Sequence, residues 1–203
     1  KWIELINRYL KINKGMKVLD LGCGPGFFSV MLTNLGCQVI GIDYSDKMLE
    51  EARNNARKFK ANVEFQKMDV QDLAFQDEIF DLIITRNVTW NLEKPVQAYQ
   101  EMVRVLKKQG HLLNIDGNHY YYYQDQDYNR AGHSDHQHME GIDVSIIDNI
   151  AKELKLSYVL RPQYDIEILK EIGFQQIESE ILSKEKTKEG KELIRQFLIH
   201  AIK

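Results

Sequence analysis

The sequence predicts an α/β fold built around a mainly parallel sheet, and three observations support this class. Short apolar segments typical of strands alternate with segments that have the apolar spacing of helices, from Val18 to Ile115. The turn Gly22–Gly26, with glycine at every second position, joins the first of these strands to a helix. The chain has 203 residues, of which 43% are hydrophobic, so one such domain with a substantial core can form.

The candidate strands share short apolar runs bounded by turn or charged residues. Five lie in the alternating part of the chain: Val18–Leu21, Val39–Asp43, Val63–Met68, Phe80–Thr85 and His111–Ile115. Two more, Ile177–Leu182 and Phe197–Ile202, follow near the end. The charged segment Ser183–Glu192 between them is most simply a solvated hairpin connection.

The candidate helices have apolar residues three and four positions apart. We expect them at Trp2–Ile12, Phe27–Leu35, 45–59, Pro95–Lys108, Ile146–Leu154 and Asp165–Ile172. Ser45 is suited to the N-cap of its helix, and Pro95 to the first turn of its own. Gly110 is expected to end the Pro95 helix.

Charge and composition argue against several classes of partner. The chain carries 27 basic and 30 acidic side chains, a net charge of −3, so no domain-wide positive field attracts nucleic acid. No apolar run approaches the roughly 20 residues that a membrane helix needs, so we expect no membrane association. Cys23 and Cys37 form neither a disulfide framework nor a metal pattern, which indicates reduced thiols and a cytoplasmic protein.

The glycine turn and an acid that closes the second strand indicate a nucleotide-like ligand. The spacing G-x-G-x-G differs from the dinucleotide fingerprint G-x-G-x-x-G, whose third glycine would fall at Phe27, and this favours an adenosine ligand without a pyrophosphate. Asp43 follows Gly24 by 19 positions, close to the interval of about 20 expected for an acid that meets a ribose. Asp43 alone leaves the cofactor open, because nicotinamide enzymes use an acid in the same way. A helix N-terminal acid is the plainer alternative.

Four motifs follow one another on the expected elements: Val18–Gly26, Gly41–Ser45, Met68–Asp72 and Phe80–Asn87. A helix containing Arg104-Val105-Leu106-Lys107, and then Gly110, comes next. With these motifs, the chain from about Lys14 to Lys203 resembles the class I S-adenosylmethionine-dependent methyltransferases, of the bacterial small-molecule type related to methyltransferase domains 11 and 25. The segments Asn87–Leu92 and Arg161–Asp165 are similar to a bacterial subgroup whose acceptors the resemblance does not identify.

The resemblance implies a Rossmann-like, seven-stranded sheet in the order 3-2-1-4-5-7-6, with strand 7 antiparallel and helices on both faces. It implies S-adenosyl-L-methionine as cofactor and S-adenosyl-L-homocysteine as product. We expect a single domain over residues 1–203, in which residues 117–163, rich in tyrosine and histidine, form a substrate-lid insertion.

The resemblance also implies a set of cofactor-binding residues: Asp20, Gly22, Gly24, Gly26, Phe27, Asp43, Tyr44, Met48, Asp69, Val70 and Asn87. In such a site Asp69 accepts a hydrogen bond from the adenine amine, and the backbone N–H of Val70 meets the ring. The plainer alternative is that Asp69 caps a turn with Asp72.

The same resemblance assigns the remaining contacts. Tyr44 and Met48 would pack on the ribose and the adenine. Asp20 and the backbone near Gly22 and Asn87 would hold the ammonium and carboxylate of the methionine moiety.

Methyl transfer from a sulfonium is an in-line displacement that depends mainly on positioning, so no catalytic residue is assigned. Acceptor contacts are expected after strands four and five, and the candidates there are Trp90, Asp116, His119 and Tyr120, with Asn118 beside them. No Asn/Asp-Pro-Pro-Tyr/Phe motif follows strand four, and with the negative charge this favours a small-molecule acceptor.

The cluster of His133, His136 and His138, with Asp135 or Glu140, matches no standard metal-ligand spacing, so a polar loop is favoured and no metal is expected.

Two alternative functions stay open. A nicotinamide-dependent oxidoreductase is one, although Phe27 and Asp69 argue against it. A non-catalytic S-adenosylmethionine-binding regulator is the other, because the methyl step leaves no obligatory catalytic residue to look for.

Overall fold

The strands of the chain form one sheet in a computed structural model that describes residues 1–128 and 144–203. They are β1 (Lys17–Leu21), β2 (Gln38–Asp43), β3 (Glu64–Lys67), β4 (Phe80–Arg86), β5 (Leu106–Asp116), β6 (Gln176–Lys186) and β7 (Glu192–Ile202). Their order is β3-β2-β1-β4-β5-β7-β6. β7 is antiparallel to β5 and β6, and the other neighbouring strands are parallel. The predicted order and the antiparallel strand 7 are confirmed.

The helices connect these strands or pack against them. They are α1 (Trp2–Ile6), α2 (Phe27–Asn34), α3 (Asp46–Lys58), α4 (Pro95–Val105), α5 (Val144–Glu153) and α6 (Gln163–Glu171). The hydroxyl of Ser45 accepts a hydrogen bond from the backbone N–H of Met48 at 3.3 Å, so Ser45 is the N-cap of α3 as predicted. Pro95 begins α4, also as predicted.

Alternate residues of the central strands enter two apolar clusters. Leu19, Leu21 and Ile83 pack with side chains from α4 and α6. Val18 and Leu82 pack with side chains from α1 and α2. All five side chains are fully buried, and each such burial stabilises the fold by roughly 1.5–3 kcal/mol. The sheet is therefore covered by helices on both faces, as expected.

The first helix is shorter than predicted. It ends at Ile6, and the chain continues as a turn in which the N–H of Leu10 still donates to the carbonyl of Ile6 at 3.1 Å. Leu10 remains buried. The apolar spacing that extended the prediction to Ile12 therefore reflects packing against the core and not continuous helix.

The predicted boundary between the fourth helix and the fifth strand is wrong. α4 ends at Val105, and β5 begins at Leu106 instead of His111. Gly110 lies inside the strand, where its carbonyl accepts from the N–H of Lys203 at 3.0 Å. This pairing with the end of the chain is a long-range contact that helical periodicity cannot detect.

The hairpin connection is also shorter than predicted. β6 continues to Lys186 and β7 begins at Glu192, so half of the charged segment is strand. Lys184 pairs with Glu192 across the two strands at 2.8 Å. Charged side chains suit an exposed hairpin at the sheet edge, so charge alone does not indicate a loop here.

Candidate active site

The C-terminal ends of β1, β2 and β4 meet at one edge of the sheet and border a cavity of about 720 Å³. All the predicted cofactor residues line it except Gly26. The other lining residues are Cys23, Pro25, Phe28, Gln71, Arg86, Val88, Asn91 and Leu92.

The glycine turn brings backbone close to a neighbouring strand end. Gly22 has φ of +68°, and a Cβ there would lie 2.3 Å from a methyl carbon of Val88. Gly26 has φ of +80°, and a Cβ there would lie 3.1 Å from both Ala52 and Phe65. Gly26 therefore serves the packing of the turn against α3, which explains why it does not line the cavity.

Asp43 is held in a fixed orientation on the cavity wall. Its Oδ2 accepts a hydrogen bond from the N–H of Gly24 at 2.9 Å, and its Oδ1 accepts from the N–H of Ser45 at 2.9 Å. Each carboxylate oxygen can accept a further hydrogen bond, so the group can still receive two hydroxyls. Asp43 thus connects the glycine turn to the start of α3.

Asp69 closes a turn and lines the cavity at the same time. Its Oδ1 accepts from the N–H of Gln71 at 2.8 Å, and its carbonyl accepts from the N–H of Asp72 at 3.1 Å. The turn interpretation is therefore correct, and it is compatible with a ligand contact. Tyr44, which is 73% exposed, and the half-buried Met48 line the same cavity.

Asp20 is a buried carboxyl group at the cavity. Its Oδ2 accepts from the N–H of Ser29 at 2.8 Å and from the hydroxyl of Ser29 at 2.5 Å. Burial raises the pKa of Asp20 to about 6, because the two bonds from Ser29 offset the loss of solvation only in part. A cationic group in the cavity would compensate this carboxylate, so the site fits a cofactor that carries an ammonium and a sulfonium.

Both cysteines are free and buried. Burial, together with the charges of Asp20 and Asp43, raises the pKa of the Cys23 thiol far above its ordinary value. Burial and a raised pKa do not suit a nucleophile, so Cys23 acts as a small packing residue.

The acceptor candidates do not line the cavity but form a group next to it. Asp116 accepts hydrogen bonds from the N–H of Trp90 at 2.9 Å and from the hydroxyl of Thr89 at 2.5 Å. The Trp90 indole lies 4.9 Å from the His119 ring and stacks on Tyr120 at 5.2 Å, between ring centroids. Its Nε1 donates to the carbonyl of Asn87, which is part of the cavity wall, at 3.0 Å. Trp90 thus joins the cavity to the aromatic group.

The structure reveals a buried ion network that sequence reasoning missed. Arg161 is only 1% exposed, and its guanidinium lies 3.2 Å from Asp116 and 2.7 Å from Asp165. Tyr99 also donates to Asp165, and Asn118 donates to the carbonyl of Arg161 at 2.9 Å. Burial alone would raise the pKa of Asp116, but Arg161, with a smaller contribution from His119, lowers it to about 2. The spacing of Arg161 and Asp165 was visible in the sequence, but their burial was not.

Arg86 is the second residue that sequence reasoning missed. Its guanidinium carbon lies 5.4 Å from the ring centroids of Trp2 and Phe28 and 5.5 Å from that of Phe27. Arg86 also lines the cavity. Its place in the motif Phe80–Asn87 was a signal, but the three rings come from α1 and α2, elsewhere in the chain.

Two further predictions concern features away from the cavity. Within residues 1–128 and 144–203, no three histidine, cysteine or acidic side chains are grouped as a metal site. The predicted histidine cluster, His133, His136 and His138 with Asp135 or Glu140, lies outside the described residues. No helix in the described ranges has the length and apolar character needed to cross a membrane.

Comparison with known proteins adds to this picture. A family model described as a methyltransferase domain matches residues 12–161. The ubiquinone biosynthesis O-methyltransferase of Coxiella burnetii is 30% identical over 100 residues, which cover 49% of this chain and 43% of that protein. The demethylmenaquinone methyltransferase of Listeria welshimeri is 32% identical over 120 residues, which cover 57% of this chain and 51% of that protein. The chain spans about half the length of the curated relatives it matches.

A solved structure shares the fold. The phosphoethanolamine N-methyltransferase 2 of Haemonchus contortus, in complex with S-adenosyl-L-methionine, superimposes with a TM-score of 0.72 at 19% identity, over 98% of this chain and 51% of that one. At this identity the likeness shows the fold alone. The family match, however, covers most of the chain and agrees with the four motifs and the strand order. The chain therefore belongs to the methyltransferase-domain family, the class I S-adenosylmethionine-dependent methyltransferases.

Proposed function

We propose that this protein transfers a methyl group from S-adenosyl-L-methionine to a small-molecule acceptor, leaving S-adenosyl-L-homocysteine. The observation that carries the proposal is that one cavity collects the glycine turn, Asp43 and Asp69. A nicotinamide oxidoreductase is the weaker candidate, because Phe27 stands where the dinucleotide fingerprint has its third glycine.

The cavity residues take the roles that the resemblance implies. Asp43 accepts hydrogen bonds from the two ribose hydroxyls, using the lone pairs that Gly24 and Ser45 leave available. Asp69 accepts from the adenine amine, and the N–H of Val70 meets the ring.

The rest of the cofactor is held by the wall of the cavity. Tyr44 and Met48 pack on the adenosine. Asp20 and the backbone near Gly22 and Asn87 hold the methionine moiety, where the buried carboxylate of Asp20 suits an ammonium.

The chemistry depends on positioning. The bound cofactor supplies an already activated methyl group, so the protein must hold the acceptor in line and exclude water. Trp90, His119 and Tyr120 are the proposed acceptor wall. Asp116, whose pKa is about 2, stays ionised and orients the backbone of Trp90. His119, with Nε2 3.4 Å from Asp116, is the candidate base for an acceptor that carries a proton.

Three observations favour a small-molecule acceptor. The net charge of −3 gives no field for nucleic acid. The relatives include proteins named for ubiquinone biosynthesis and for demethylmenaquinone. Residues 117–163 offer aromatic side chains for a lid.

Free, buried cysteines agree with a cytoplasmic location, which we propose on that ground.

The proposal is tested first by calorimetric titration with S-adenosyl-L-methionine, S-adenosyl-L-homocysteine and NADH. Asp43→Ala should weaken binding of both adenosyl ligands by about 1–3 kcal/mol, the cost of unpaired ribose hydroxyls. The matched control is Asp46→Ala, since Asp46 is 76% exposed and pairs only with Lys67 among the described residues. Binding of NADH alone would contradict the proposal.

Transfer of a radiolabelled methyl group to metabolite and RNA pools then identifies the acceptor. Labelled small molecules are the expected result. Labelled RNA would overturn the acceptor class, and tight cofactor binding with no transfer to any pool would favour a regulator.

A further inference from the structure

Arg86 holds a positive charge at the cavity, and no oppositely charged side chain of the described residues contacts it. The rings of Trp2, Phe27 and Phe28, here called the aromatic box, surround its guanidinium at 5.4–5.5 Å. The described part of the chain gives Arg86 neither an ion pair nor a hydrogen-bond acceptor. Such a box fixes the position of the cation but satisfies none of its five N–H donors.

Arg86 lies beside the buried acid of the same cavity. β1 and β4 are neighbours, with Leu21 opposite Thr85, so Asp20 and Arg86 stand near the same ends of two paired strands. Both line the cavity, and the charge of Arg86 acts on Asp20. The cavity therefore presents a negative and a positive group together. An amino-acid moiety, with its ammonium and carboxylate on one carbon, is complementary to this arrangement.

We propose that Arg86, held by the aromatic box, binds the carboxylate of the cofactor's methionine moiety and makes the site selective for the carboxylated cofactor. This inference rests on the proposed function of the cavity. It assigns α1 a part in cofactor recognition, because Trp2 belongs to that helix.

A counter-ion role is the competing explanation. In that case Arg86 would serve only to offset the buried charge of Asp20, and its removal would disturb the cavity for every ligand. The two roles differ in one measurable respect, which is whether the effect of Arg86 depends on a carboxylate in the ligand.

The test uses four ligands and calorimetry. Two carry the carboxylate, S-adenosyl-L-methionine and S-adenosyl-L-homocysteine. Decarboxylated S-adenosylmethionine keeps the ammonium, and 5′-methylthioadenosine lacks both groups. Arg86→Met is compared with Arg57→Met, since Arg57 is an exposed arginine on α3 that bonds the side chain of Asn54.

Arg86→Met should weaken binding of the two carboxylated ligands by about 10- to 100-fold, which is the range for loss of a hydrogen bond to a charged group. Binding of the other two ligands should weaken by less than about threefold. Arg86→Lys should lose part of the affinity, because a lysine keeps the charge but not the guanidinium fork. Arg57→Met should change none of the four.

The inference is overturned if Arg86→Met weakens binding of all four ligands equally, or if it leaves binding of the two carboxylated ligands unchanged. The proposed function stands in either case. If the unaltered protein binds none of the four, the proposed function itself fails. Circular dichroism of each variant shows that the fold is retained, and Arg86→Lys serves if the methionine variant does not fold.

Discussion

Replacing Arg161 by methionine should lower the free energy of unfolding and reverse part of the dependence of stability on pH. Arg161, Asp116 and Asp165 are each no more than 1% exposed, and the guanidinium contacts both carboxylates. Methionine leaves two buried carboxylates without their cation. Removing one partner of a buried ion pair costs about 3–5 kcal/mol, so we expect a loss of that size at pH 7.5.

The pH dependence follows from Asp116. Its pKa of about 2 lies below the ordinary 3.8, so in the unaltered protein it contributes about 2 kcal/mol that is present above pH 4 and lost as the pH falls towards 2. Without Arg161, burial is no longer offset, and the pKa of Asp116 should exceed its ordinary value. A raised carboxyl pKa means that the folded state binds more protons. Stability of the variant should therefore fall as the pH rises from 4.5 to 7.5.

Urea unfolding of both proteins at pH 4.5, 6 and 7.5 measures this effect. Subtracting the unfolding free energy of the variant from that of the unaltered protein removes the contribution of groups that titrate alike in both. The remaining difference should be largest at pH 7.5. Arg8→Met is the matched control, because the pair of Arg8 with Glu180 is exposed and worth at most about 1 kcal/mol. A loss below about 1 kcal/mol for Arg161→Met, or a difference that does not vary with pH, would refute the reasoning.

Other expected outcomes concern the cavity. Gly22→Ala places a Cβ 2.3 Å from Val88 and should lower the free energy of unfolding by about 1–3 kcal/mol more than Gly15→Ala does. Gly15 is the control because its φ is also positive but nothing lies within 4 Å of a Cβ there. Equal urea midpoints for the two variants would contradict this. In a Cys37→Ala variant, which leaves Cys23 as the one thiol of the chain, Cys23 should react with Ellman's reagent only after unfolding, and rapid labelling of the native variant at pH 8 would show that it is accessible. Asp20→Asn should raise the free energy of unfolding by up to about 3 kcal/mol at pH 7.5 and by little at pH 4, because the pKa of Asp20 in the folded protein, about 6, exceeds the ordinary 3.8. Affinity for the cofactor should fall in the same variant. A gain in stability that does not vary with pH would exclude the raised pKa as its cause.

Much of the cofactor cavity could be predicted from the sequence because its parts are local. The turn Gly22–Gly26 follows β1 directly, Asp43 is the last residue of β2, and Asp69 lies two positions after β3. Parallel strands bring their C-terminal ends to one edge, so knowing the strands is enough to place these residues together. Ser45 and Pro95 are local in the same sense, since each acts on the helix that it begins.

Element ends were less predictable where long-range pairing decides them. Apolar spacing extended α1 to Ile12, although the helix ends at Ile6. The first part of β5 is fixed by pairing with distant residues: Leu106 lies opposite Phe80 of β4, and Lys203, at the other end of the chain, bonds the backbone of Gly110. Apolar periodicity indicates which side chains are buried, but it does not indicate which backbone groups form hydrogen bonds with distant parts of the chain.

By itself the sequence determined the α/β class, the strand order through its family resemblance, and the residues that follow each strand. Only the tertiary structure decided that Arg161 is buried against Asp116, and that Arg86 stands in an aromatic box containing Trp2. The physical reason is distance along the chain. The charge of an arginine is evident from its identity, but its burial and its partners depend on which surfaces meet when α1 and the segment before α6 pack against the sheet.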